Sequence, residues 1–92
     1  MNFVLYCVDK AGHGHLRTEN RPAHVDYLKS NLDRLVLAGP MTSDDGTTML
    51  GSVLIIEAAD RAAAEAFAAG DPYAKAGLFE SVTIKAFKKV LP

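Results

Sequence analysis

Alternation and helical periodicity divide the chain into strands and helices with little ambiguity at the two ends. Residues 2–9 (Asn-Phe-Val-Leu-Tyr-Cys-Val-Asp) are rich in β-branched and aromatic types and too short for an independent helix, which predicts a first strand. Residues 10–20 hold two glycines and two histidines with neither periodicity and read as a loop. From Pro22 onward, Val25, Leu28, Leu32 and Leu35 recur at spacings of 3, 4 and 3, with Asp26, Lys29, Ser30 and Asp33 on the other side. That pattern predicts an amphipathic helix whose first turn contains the proline.

Val36-Leu37-Ala38 predicts a short second strand closed by Gly39-Pro40, and Asp44-Asp45-Gly46 marks a turn within 41–50. Residues 51–58 predict the third strand. Asp60 is the expected N-cap of an alanine-rich helix through Ala69, with Gly70 as a left-handed terminator. Asp71-Pro72-Tyr73 opens a turn or a single helical turn, and residues 81–90 alternate as a fourth strand. The order βαββαβ predicts a ferredoxin-like α+β sandwich, a four-stranded antiparallel sheet with both helices on one face, as a single domain spanning 1–92.

Facing positions add a further expectation. In the first strand Phe3, Leu5 and Cys7 point one way and Val4, Tyr6 and Val8 the other, so both faces are apolar while two helices can cover only one. A second copy of the sheet is the simplest cover, which predicts a homodimer.

Composition narrows the function classes. Ten Lys and Arg against eleven Asp and Glu leave a net charge of −1, with 49% of positions apolar. The absence of a basic block argues against nucleic-acid or membrane-surface binding. The apolar run Phe3 to Val8 is too short for a membrane span and lacks the flanks of a signal peptide. The lone Cys7 suits a reducing, cytoplasmic setting and a place in the core. Neither a phosphate-loop nor a dinucleotide-binding glycine pattern occurs, so no cofactor is expected. His13 and His15 form an i, i+2 pair that could join His24 at a metal, a weak signal beside mobile glycines, and no metal site is expected.

His24 is the strongest acid–base candidate. In a helix starting near Pro22 it lies in the first turn and faces inward, where the helix N-terminus disfavours the protonated ring. Asp71 is a natural N-cap for the turn at Pro72, and spacing alone does not bring it to His24. Tyr6, Tyr27 and Tyr73 can supply core area or line a cavity; Ser52 and Ser81 read as strand-edge residues, and Lys85, Lys88 and Lys89 as a solvated edge.

Four strings carry a resemblance: Arg21-Pro22-Ala23-His24, Ala38-Gly39-Pro40, Asp71-Pro72-Tyr73 and Phe87-Lys88-Lys89-Val90. Together they resemble the YciI-like (YCII-related) family over nearly the whole chain. The resemblance implies a dimeric α+β barrel, an active-site cleft and a His–Asp pair carried here by His24 and Asp71. One characterised member is a dehydrochlorinase of chlorinated hydroxyhydroquinones, and muconolactone isomerases share the barrel. The expectation is a small cofactor-independent enzyme, lyase- or isomerase-like, in which His24 moves a proton on a phenolic or lactone-like substrate and Asp71 orients the imidazole. Arg21 and Tyr73 are the candidate substrate contacts. The alternative is a non-catalytic dimer that binds a small molecule or serves as an accessory protein.

Overall fold

The computed structural model describes residues 1–92 and contains β1 (Asn2–Asp9), α1 (Gly14–Lys29), a 3-10 turn (Leu32–Arg34), β2 (Leu35–Thr42), β3 (Met49–Glu57), α2 (Arg61–Gly70), α3 (Pro72–Lys75) and β4 (Phe79–Phe87). The strands form one antiparallel sheet in the order β2-β3-β1-β4. This is the ferredoxin-like βαββαβ arrangement, with β1 and β3 central and β2 and β4 at the edges.

Register decides which side chains meet the helices. Phe3 pairs with Ile56, Leu5 lies between Leu54 and Ile84, and Cys7 pairs with Ser52. With Ala64 and Phe67 of α2 these apolar residues form the buried core. Asp60 caps α2 as expected, accepting a hydrogen bond from Ala63 N at 2.8 Å. Tyr27 of α1 ties the two long helices together by donating to the Phe67 carbonyl at 2.8 Å. The opposite face of the sheet carries Val4, Val8, Val53 and Ile55, half-buried, and Tyr6 and Leu37 at 47% and 49% exposure, with no helix over them.

Several boundaries differ from the sequence expectation. The segment read as a loop is helical from Gly14, so Pro22 lies inside α1 rather than in its first turn. Pro22 has no N–H for the Thr18 carbonyl, a defect worth about 3 kcal/mol in an isolated helix that packing must offset. The periodicity failed upstream because the inward residue there is a charged one, Arg17. At the other end α1 stops at Lys29; Leu32 is exposed, and Leu35 begins β2 and packs on the core. Strand β2 runs on through Gly39-Pro40 to Thr42, which an edge strand tolerates because one row of its N–H groups faces away from the ladder. Strand β3 starts at Met49, and β4 shifts to 79–87, leaving Lys88, Lys89 and Val90 beyond it.

Asp45 organises the β2–β3 turn. Its Oδ1 accepts from Ser43 Oγ, Thr47 N and Thr47 Oγ1, and these bonds pull its carboxyl down to about 2.

Gly70 is not left-handed; the glycines with positive φ are Gly12, Gly46 and Gly77, and the last follows α3. Gly70 is small for another reason, since a Cβ there would stand 2.6 Å from the Tyr27 hydroxyl. Gly51 is tighter still. A Cβ at Gly51 would lie 2.1 Å from the Cys7 carbonyl oxygen and 2.6 Å from Met41 Cε. Gly51→Ala must therefore prise β3 from β1, with an expected loss of about 3 kcal/mol, or roughly 12–24 °C in Tm. Thermal unfolding by circular dichroism checks this, and a Tm within a degree or two of the parent would contradict it.

Candidate active site

One face of α1 supplies most of the site. Arg17, Arg21, His24 and Leu28 fall at i, i+4, i+7 and i+11, which stacks them along the side of the helix that faces the sheet and α3. His24 occupies the third turn, where the helix-terminus effect expected from sequence has died away. Its surroundings are set by α3 instead.

Asp71 caps α3, its Oδ1 accepting from Tyr73 N at 2.9 Å, as the Asp-Pro sequence predicts. The same oxygen lies 2.8 Å from His24 Nδ1. A capping carboxylate only accepts, so Nδ1 carries a proton, and in the neutral ring Nε2 is then the nitrogen with the lone pair. No group of the chain bonds Nε2, and His24 lines a cleft. Both side chains are buried, at 11% and 5% exposure. A neutral imidazole held by a carboxylate on one nitrogen and open on the other is equipped to take a proton from a ligand.

Tyr73 fixes the ring. Its phenol stacks on His24 with centroids 3.9 Å apart and planes 13° from parallel, and Phe79 meets it edge-on at 6.1 Å. The Arg17 guanidinium carbon lies 4.7 Å from the Tyr73 ring centroid. Two helical turns, about 10 Å, separate Arg17 from His24, and the phenol fills that gap.

Arg17 is itself anchored. Nε and Nη2 donate to Asp9 Oδ2 and Oδ1, both at 2.9 Å, and Nη2 also donates to Ser52 Oγ at 3.1 Å. Burial pulls the guanidinium down, but the bonds and charge of Asp9 outweigh it and raise Arg17 above its ordinary value, so it is a cation at any working pH. Burial pushes the Tyr73 phenol up, held back by the charges of Arg17 and Arg21. Ser52, expected at a strand edge, is 3% exposed on the helix side of β3.

The cleft has a volume of about 400 Å³ and runs between α1 and the β2–β3 edge, with Ala38, Pro40 and Met49 as apolar lining on the sheet side, Ser52 beside Pro40, and Arg21 and His24 on the helix side. That size fits a single-ring ligand. No carboxylate lines it; Asp9 and Asp71 stand behind Arg17 and His24. Arg21 is exposed on the lining and pairs with no carboxylate.

The structure thus joins His24, Asp71 and Tyr73 and adds Arg21 on the same helix face. His13 and His15 stack on each other at 6.1 Å away from the cleft lining, and no cluster of three or more His, Cys, Asp or Glu side chains is placed to hold a metal. Arg17, Asp9 and Ser52 were missed. The available signal was the seven-residue spacing from Arg17 to His24, which counts only once the helix is extended back to Gly14.

Cys7 lies in the core beneath the site. Burial first, then the charges of Asp71 and Asp9, push its thiol from 9.0 up to about 12. The folded protein should resist alkylation at pH 8 and react only on unfolding. The raised value also means that the neutral thiol's stability contribution is present below about 9 and is lost as pH rises toward about 12. Labelling by iodoacetamide with and without urea measures the first effect, and rapid native labelling would contradict it.

Comparison with known proteins agrees with this architecture. The model of the YCII-related domain matches residues 1–88. Protein YciI of Escherichia coli O6:H1 and of Shigella flexneri are each 42% identical, covering 98% of this chain and 99% of theirs. An uncharacterised Haemophilus influenzae protein is 33% identical over the same shares. Among solved structures, 5-chloro-2-hydroxyhydroquinone dehydrochlorinase (TftG) from Burkholderia phenoliruptrix, in complex with 2,5-dihydroxybenzoquinone, superposes with a TM-score of 0.87 at 34% identity, covering 96% of this chain and 94% of that one. An Arabidopsis thaliana protein at TM-score 0.51 and 14% identity shares the fold alone. With matches that span the chain from β1 to β4, this protein belongs to the YCII-related (YciI) family.

Proposed function

We propose that the chain is a cofactor-independent acid–base enzyme acting on a small oxygenated ring, a phenol or a related lactone, in the cleft beside His24. The observation that carries the reading is His24 itself, bonded to Asp71 through Nδ1 and unbonded at Nε2 on the cleft wall. Nε2 takes a proton from the bound ring, and Asp71 stabilises the imidazolium that forms. Tyr73 holds the imidazole plane, and Arg21 attracts the ionised ring from the cleft wall.

The dehydrochlorinase relative suggests the reaction type. On a chlorinated hydroxyhydroquinone, a proton leaves one ring hydroxyl through His24 and returns to the carbon bearing chlorine, giving a ketone and a tetrahedral C–Cl carbon. Loss of the proton from the hydroxyl para to that ketone then drives electrons through the ring, expels chloride and leaves a hydroxyquinone. One proton and one chloride are released in total, and no oxidant or cofactor is consumed. An isomerisation uses the same two proton positions without a leaving group. Chloride release from 5-chloro-2-hydroxyhydroquinone, followed with an ion electrode against buffer alone, tests the elimination; a rate no greater than buffer, together with saturable binding, would instead favour the non-catalytic reading.

The protein acts as a homodimer in this proposal, because the helix-free face bearing Val4, Tyr6, Val53 and Ile55 is self-complementary in composition and a second sheet can pack on it at about 10 Å. Light scattering should give about twice the chain's 9.9 kDa. Ile55→Lys, which sets a charge in the middle of that face, should halve the mass while the far-ultraviolet spectrum persists. A parent protein of single-chain mass would contradict the dimer.

A further inference from the structure

The polar groups deepest in the cleft are all hydrogen-bond donors with protons left over. Arg17 spends three of its five N–H groups on Asp9 and Ser52, and the remaining edge of its guanidinium lies by the Tyr73 phenol on the cleft lining. Ser52 Oγ accepts from Arg17, which leaves its own proton free, and the Tyr73 hydroxyl donates to no acceptor in the chain. Arg17, Ser52 and Tyr73 are only 8%, 3% and 2% exposed, yet all three line the cleft. Their remaining protons open onto the cleft, where an acceptor on a ligand can reach them. With no carboxylate in the lining and with Arg21 unpaired, the visitor those donors fit is an oxygen carrying negative charge.

We infer that Arg17, Ser52 and Tyr73 form an anion-binding subsite, set across the Tyr73 ring from His24, that holds an ionised oxygen of the ligand. Resting on the cleft assigned above, the subsite narrows the substrate class. The ligand carries two oxygen functions on one ring, one acidic position beside His24 and a second oxygen that is, or becomes, a phenolate or enolate against Arg17. Asp9 is a positioning residue here: it takes up two guanidinium N–H groups and so turns the Nη1 edge toward the ligand. The arrangement favours a ring that ionises during proton transfer, since charge arriving on the far oxygen meets donors already in place.

Binding, independent of turnover, tests the subsite. The probe is 2,5-dihydroxybenzoquinone, anionic at neutral pH, compared with its neutral dimethyl ether by calorimetry. The parent should prefer the anion by at least about tenfold, and Ser52→Ala should erase most of that preference while leaving Tm near the parent's. Arg17→Lys keeps the charge but lacks the Nη1 edge and should weaken the anion by about tenfold or more; Tyr73→Phe keeps the stacked ring and should weaken it less. Because Arg17 variants can unfold, Ser52→Ala and Tyr73→Phe carry the test by themselves. Absence of saturable binding by the parent, or equal preference in the parent and Ser52→Ala, overturns the subsite. Loss of preference in Ser52→Ala supports it even if no variant turns over any substrate, an outcome that would count against the catalytic reading alone.

Discussion

His24→Ala is expected to lower kcat/KM for chloride release by about 10³-fold, within the range of about 10² to 10⁴ that a positioned acid–base group contributes. The variant loses the one imidazole on the cleft lining, held by a carboxylate at Nδ1 and unbonded at Nε2. It should still fold, because the core of β1, β3, β4 and α2 side chains does not include His24. Millimolar imidazole should restore part of the rate, since the space left behind adjoins the Asp71 carboxylate. Asp71→Asn keeps a cap for Tyr73 N but no longer stabilises an imidazolium, so its rate should fall by one to two orders of magnitude with KM little changed. Equal rates in the parent and both variants would exclude the dyad from the chemistry.

Arg17→Met is the substitution with the largest expected effect on stability. It leaves Asp9, whose side chain is 9% exposed, without the two hydrogen bonds that satisfy its charge. Breaking one side of a buried pair typically costs about 3–5 kcal/mol. A chain of 92 residues has about 5–14 kcal/mol in total, so the variant should be close to unfolding at 37 °C. The damage comes from the stranded charge rather than from the lost attraction. Arg17→Met combined with Asp9→Asn should therefore recover at least half of the loss in urea titrations, a coupling that independent sites do not show. Additive losses in the double variant would contradict a pairwise role and leave packing against Tyr73 as the main contribution of Arg17.

The fold was legible because its information lies in strands and in one well-capped helix. The β-branched and aromatic run in residues 2–9, the Asp60 cap and the Asp71-Pro72 start each have a local physical cause that survives folding, and each is found where expected. The second half of the dyad was legible only as a cap. Nothing in a spacing of 47 residues brings Asp71 to His24; the meeting depends on α3 turning back onto α1. Resemblance to the family supplied that pairing before geometry did.

The missed parts share one reason. A helix whose site-facing side carries Arg17, Arg21 and His24 has no apolar stripe there, so its first two turns look like loop, and the glycines at 12 and 14 strengthen that impression. Ser52 was misplaced likewise, since a serine in an apolar strand has no pattern of its own until register sets it opposite Cys7 and under Arg17. Function here is concentrated where the hydrophobic code is silent, because the site replaces core side chains with polar ones that satisfy each other.

The central claim is that His24 moves protons on a bound oxygenated ring. Its most direct measurement uses hydroxyhydroquinone without chlorine, incubated anaerobically in D₂O and followed by proton NMR. Return of a proton to ring carbon exchanges hydrogen for deuterium without any leaving group. The account predicts catalysed exchange at ring positions next to a hydroxyl with the parent protein and loss of that catalysis with His24→Ala. Exchange at the buffer rate with the parent, or equal catalysis by His24→Ala, would contradict it.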